Sequence, residues 1–162
     1  MPHPDLQCLI LSCGNTLRSD DGVGPFLSEW ARQRFSGNEH IAILTRHQWT
    51  PDLAEDLSTA ATALFIDCSI EAAPGEVLVR PVEPAPPVAG LATHHSGAPE
   101  LLSLSRELFA AAPARALLLT IGAGSTDLGE TFSPAVQAAI PKAQKQLEEA
   151  VSSLLDEFLK SL

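Results

Sequence analysis

Short apolar runs with little polar alternation recur along the chain, at residues 6–11, 41–44, 63–66 and 116–121. A strand wetted on one face alternates apolar and polar side chains. Runs of this kind therefore belong to strands buried on both faces, which occur in parallel sheets covered by helices. The stretches between them are amphipathic. Val23, Phe26, Leu27, Trp30 and Ala31 recur at spacings of three and four, predicting a helix over 22–34 that the patch Phe35-Ser36-Gly37-Asn38 ends. Thr50-Pro51-Asp52 supplies an N-cap, a proline at the first helical position and a first-turn acid for a helix through Leu53, Ala54 and Leu57. Pro99-Glu100 opens another through Leu101, Leu102, Leu104, Leu108 and Phe109. Ser133-Pro134 starts a last helix to the C-terminus, which Pro141 is expected to kink or interrupt. A further strand is expected at 76–80 after the Pro74-Gly75 turn, and the four prolines of residues 81–87 predict an extended linker. No repeat or boundary divides the chain. The expectation is one α/β domain over 1–162, a three-layer sandwich with a twisted, mostly parallel sheet and helices on both faces.

Twenty acidic residues against ten basic ones give a net charge of −10, and no Lys/Arg cluster offers a footprint for nucleic acid. The balance suits a basic protein partner or a cationic ligand. An apolar fraction of 45% with 19% charged residues fits a soluble globular protein. Cys8, Cys13 and Cys68 are too few and too odd in number for a disulfide framework, which points to a reducing compartment. The start MPHPDLQ has no basic segment followed by an apolar one, and no apolar run approaches the ~18 residues of a membrane span. A cytoplasmic location and no membrane partner are expected.

The segment Ser12 to Gly24, SCGNTLRSDDGVG, carries polar, glycine-containing chemistry from the first strand into the first helix. Asp20 and Asp21 lie where this loop feeds the helix, and taken alone they read as caps of free backbone N–H groups. The architecture adds a second possibility. Residues beyond the C-terminal ends of parallel strands share one crevice, and Asp20/Asp21, Asp67 and the His94/His95 pair all fall there. Carboxylates with an imidazole suit a borderline first-row divalent ion. Each residue also has an ordinary explanation: Asp67 as a turn cap with Ser69, His94 or His95 as a loop donor, His47 as a structural residue between a strand and a helix start. No G-x-S-x-G elbow and no Walker A sequence is present.

Six segments in order make the chain resemble the nickel–iron hydrogenase maturation proteases over nearly its full length. They are CGNTLRSDDGVG, HQWTPDLAEDL, FIDCS, PGEVLV, THHSGAPELLSLSREL and TIGAGSTDLGETFSP. The resemblance implies a sheet of about five strands between helices, in agreement with the pattern above. It implies catalytic, metal-contacting positions at Asp21, Asp67 and His94, with His94 preferred to His95 because its distance to Pro99-Glu100-Leu101-Leu102 matches without a gap. Asn15 falls on the loop asparagine. Two departures stand out: Ser12 occupies the first glycine position of the Gly-x-Gly-Asn loop, and Asp21 stands where many members have Glu. If the first position needs positive φ or close backbone approach, Ser12 costs stability or shifts the loop.

The implied activity is removal of the C-terminal extension of a hydrogenase large-subunit precursor. The precursor itself supplies the nickel, so the isolated protein binds the ion weakly or not at all. Asp20 or Asp67 is left as general base, the acidic surface would engage a basic extension, and a monomer is expected. The alternatives are a non-cleaving, nickel-checking assembly factor for the same precursor, kept open by Ser12, and a small-molecule hydrolase on the same kind of sheet.

Overall fold

A computed structural model describes residues 6–86 and 97–160. Strand β1 (Cys8–Cys13) leads through a 3-10 turn (Ser19–Gly22) into helix α1 (Val23–Arg34). Then follow β2 (Ile41–Arg46), α2 (Leu53–Ser58), β3 (Thr62–Ser69), β4 (Val77–Pro81), α3 (Ala98–Phe109), β5 (Arg115–Gly122) and α4 (Pro134–Lys160). The sheet has five strands in the order β2-β1-β3-β5-β4. β1 pairs parallel with β2 and β3, β3 pairs parallel with β5, and β4 closes one edge antiparallel to β5. The direction of winding reverses at β1, so the crevice between β1 and β3 is the switch point where such sheets bind their ligands.

Period-two alternation sends the strand residues to two cores. Cys8 and Ile10 of β1 and Leu64 and Ile66 of β3 pack with Val23, Leu27 and Leu147 beneath α1 and α4. Leu9, Leu11 and Phe65 pack on the other face with Leu53, Leu57, Leu101 and Leu102 of α2 and α3. The central strands are buried on both sides, which explains their unbroken apolar runs. Each leucine buried in this way contributes about 1.5–3 kcal/mol relative to exposure. This is the three-layer α/β sandwich that the sequence pattern predicts.

Local differences have local causes. β3 continues past residue 66 because β5 pairs with it as far as Ser69↔Gly122, so Asp67 lies within the strand rather than after it. α2 starts at Leu53 with no side-chain cap. The carbonyls of Thr50 and Pro51 accept from Leu53 N–H (3.1 Å) and Ala54 N–H (3.0 Å), so a turn does the work expected of the Thr50 hydroxyl. Pro81 ends β4 on the sheet edge, where a missing N–H is tolerated. α4 runs unbroken through Pro141, contrary to the expected interruption. Pro141 and Gln137, whose carbonyl the proline leaves without its usual donor, both lie on the exposed side, where that carbonyl is open to solvent. No described helix is long and apolar enough to cross a membrane.

Candidate active site

The loop after β1 is built around Gly14. Its φ is +153°, and a Cβ there would sit 2.0 Å from the Asp21 carbonyl oxygen, so only glycine fits. The turn brings Asn15 over Asp21, whose Oδ2 accepts the Asn15 N–H at 2.7 Å. Asn15 in turn stiffens the loop, its Oδ1 accepting the Leu17 N–H at 2.9 Å. Asp21 is therefore not a helix cap: α1 is capped by Gly22 with no side-chain bond, and the carboxylate points back over the loop. It is half-buried, and among the described residues no donor reaches its Oδ1. Gly24 lets α1 close onto β1, since a Cβ there would stand 2.5 Å from the Cys13 carbonyl oxygen.

Asp20 goes the other way. It is fully buried, and its carboxylate ties the β1–α1 loop to the loop between β5 and α4. Oδ2 accepts Gly124 N–H (2.7 Å), Ser125 N–H (3.0 Å) and the Ser133 hydroxyl (2.7 Å), while Oδ1 accepts Ser133 N–H (2.7 Å). Burial opposes the charge, but the Ser133, Gly124 and Ser125 donors outweigh it and hold the carboxyl below the usual carboxylate range. Four donors leave this group a structural anchor rather than a free base. No pattern in the sequence announces this role, because its partners lie more than a hundred residues away.

Asp67 stands on β3 one step beyond the Ser12↔Ile66 pair, beside Cys13 of β1. Its Oδ1 accepts the Cys68 N–H at 2.7 Å, and the polar ends of Cys13 and Trp49 lie near enough to favour its charged form. Trp49 is fixed by an edge-to-face contact with Phe65 at 5.6 Å. Burial is the largest influence on Asp67 and raises its pKa; the donors oppose the rise and the charge of Asp21 adds to it. The charge of Asp21 thus reaches Asp67 at the C-terminal ends of β1 and β3. Desolvation followed by the neighbouring carboxylates pushes the Cys13 thiol up, and pushes Cys68 up to about 12. Both therefore stay protonated near neutrality and act as neutral lining rather than as nucleophiles. Cys13 and Trp49 were missed as site residues, although the alternation along β1 and β3 puts Cys13 and Asp67 on one face.

His47 lies exposed in the bend after β2, and among the described residues no hydrogen bond joins it to the carboxylates. His94 and His95 fall outside the described residues. Among the described residues no group of three or more His, Cys, Asp or Glu side chains is placed to hold a metal ion. Ser12 occupies an ordinary extended position within β1, paired with Thr45 and Ile66. Its hydroxyl is hydrogen-bonded to that of Ser28 on α1, both fully buried. The position needs no positive φ, and the serine is held in regular strand geometry.

No protein-family model matches the chain, and no curated protein matches its sequence. Solved structures do match. The hydrogenase maturating endopeptidase HybD of E. coli superposes with a TM-score of 0.74 at 22% identity, over 91% of this chain and 93% of that one. The [NiFe] hydrogenase maturation protease HybD of Thermococcus kodakarensis gives 0.63 at 24% identity, over 90% and 99%. The hydrogenase 2 maturation peptidase of a Thaumarchaeota archaeon gives 0.64 at 21% identity, over 90% and 98%. The fold is that of the hydrogenase maturation endopeptidases. The match spans about nine-tenths of this chain and nine-tenths or more of each of those structures.

Proposed function

We propose that this chain is an endopeptidase that removes the C-terminal extension of a nickel-loaded hydrogenase large-subunit precursor. One observation carries the reading. Asp21 and Asp67 converge at the switch point of a sheet whose fold is that of maturation endopeptidases. In this reading the two carboxylates, with His94 as the third contact, meet the nickel that the precursor brings, which makes cleavage conditional on metal loading. An ion so held polarises the scissile carbonyl or acidifies a bound water. Asp67 is the better general base of the two carboxylates considered for that role, because Asp20 is already bonded to four donors. The Cys68 N–H holds one oxygen of Asp67, with Cys13 and Trp49 flanking the carboxylate. The non-cleaving assembly-factor reading rested on Ser12, which the Ser28 hydroxyl accommodates within a regular strand.

The test is incubation with nickel-loaded and nickel-free precursor, read by intact mass, for wild type, Asp21→Asn, Asp67→Asn and His94→Ala. Loss of one defined C-terminal peptide is expected from wild type alone and with nickel alone. Complex formation without cleavage would move the chain to the assembly-factor class. Cleavage surviving all three substitutions would remove the assigned site.

A further inference from the structure

From the apolar rim and cleft beside Asp21, we infer that this chain grips an extended peptide segment of its partner through one bulky apolar side chain next to a lysine or arginine. Large apolar side chains are exposed unevenly in this molecule. Leu108 and Phe109 are exposed together at the end of α3 and Leu78 on the edge strand, while Leu17 (55%), Phe26 (43%), Ile70 (81%) and Leu128 (82%) lie at the end of the sheet that carries Asp21 and Asp67. Leu17 and Leu128 are held side by side by backbone pairing. A parallel bridge joins Arg18 to Gly129, Gly129 N–H donates to the Leu17 carbonyl (2.9 Å), and Ser19 N–H donates to the Gly129 carbonyl (2.8 Å). The Ser19 hydroxyl adds a bond to the Asp127 carbonyl at 2.7 Å, with Ser19 held at a φ of +51°. A non-glycine residue held in this sparsely populated region has a conformational cost, and here it keeps two leucines facing water.

Beside this pair lies a cleft of about 260 Å³ lined by Thr16, Gly22, Pro25, Phe26, Glu130 and Phe132. Phe26 and Phe132 form its wall, edge to face at 5.4 Å. The volume lies below the roughly 300–1,000 Å³ usual for small-molecule sites and suits a single anchoring side chain. Charge selects the neighbour of that anchor. Glu130 lines the cleft and Asp127 flanks it, both exposed, and neither takes part in an ion pair among the described residues. The whole chain carries −10, which disfavours an acidic partner and steers a basic one. The cleft is continuous with the candidate site, since Thr16 and Gly22 belong to the loop that presents Asp21. The inference rests on the proposed function only for the source of the peptide, the client precursor.

The experiment measures fluorescence anisotropy of short labelled peptides carrying Leu-Lys, Leu-Glu or Ser-Lys at the centre, together with precursor cleavage under steady-state conditions. Variants are Leu128→Glu, Glu130→Lys and, as a remote control, Leu108→Glu, an exposed leucine of α3 (63%). Leu128→Glu changes only an exposed side chain, and a melting curve confirms that it folds. Wild type is expected to bind Leu-Lys peptides best. Leu128→Glu should lose about tenfold or more in affinity and raise KM with kcat unchanged, as loss of uniform binding does. Glu130→Lys should turn the preference toward Leu-Glu, and Leu108→Glu should behave as wild type. Precursor cleavage by Leu128→Glu and Glu130→Lys at wild-type kcat/KM would overturn the inference and leave the protease reading standing. Selective Leu-Lys binding by a wild type that never cleaves would overturn the protease reading and leave the inference standing. A self-associated state dissolved by Leu128→Glu, with peptide binding unchanged, would assign the rim to a second copy of this chain and overturn the inference.

Discussion

Two adjacent aspartates of identical chemistry meet opposite fates within one turn. Asp20 is enclosed by four donors, while Asp21 accepts one backbone N–H at Oδ2 and has no donor at Oδ1 among the described residues. Asp20→Ala would leave the part-buried N–H groups of Gly124, Ser125 and Ser133 without their acceptor, and each such group costs up to about 1–3 kcal/mol. A loss of about 2–3 kcal/mol in urea unfolding is therefore expected, larger than for Asp21→Ala. The folded pKa of Asp20 lies below 3.8, so its contribution is complete above that pH and is lost as pH falls through the folded value. Asp67 has the opposite sign. Its folded pKa lies above 3.8, so between the two values the native state holds more protons than the unfolded chain, and stability falls as pH rises. Asp67→Asn should abolish precursor cleavage yet leave Tm at pH 8 equal to or above wild type, with the difference shrinking as pH is lowered through that window. A marked drop in Tm at pH 8 would show that Asp67 is structural.

At the scale of elements, the strands and helices were legible because apolar runs and three-four spacing are local properties. Less legible was whatever depended on distant chain. The reach of β3 past Asp67 is set by pairing with β5, and the anchoring role of Asp20 is set by a loop beyond β5. The nearness of Asp21 to Asp67 was readable from topology, since both follow or end parallel strands, whereas the approach of Trp49 to Asp67 depends on a bend that no periodicity describes. Pro141 shows tertiary structure overriding propensity. Val136, Ala139, Ala143 and Leu147 bury one face of α4, and that packing carries the helix past a residue that costs about 3 kcal/mol in a helix interior. Pro141→Ala, on the exposed face, should therefore stabilise the protein by about 2–3 kcal/mol, measured as a higher urea midpoint at unchanged slope. An unchanged midpoint would mean that the helix has already relaxed around the proline.

At the scale of the whole molecule, the net charge of −10 acts on stability and on recognition with opposite salt dependence. Folding brings the carboxylates together, so they repel more in the native state, bind protons more readily than in the unfolded chain, and make stability fall as pH rises. Asp67 acts in the same direction, while Asp20 resists until pH drops below 3.8. Tm should therefore rise from pH 8 into the mildly acidic range and collapse only in strong acid. Salt shortens the Debye length from ~10 Å at 0.1 M to ~3 Å at 1 M, which relieves the repulsion. Added salt at pH 8 should raise Tm. The same screening weakens the pull on a basic client segment, so the association rate with precursor should fall over the same salt range. Calorimetry and stopped-flow binding on one salt series separate the two effects. Opposite slopes are the signature of an acidic surface retained for its partner at a cost in self-repulsion. A Tm that ignores salt at pH 8 would show that the charges are too dispersed to destabilise the fold, and an association rate that ignores it would remove the acidic surface from recognition.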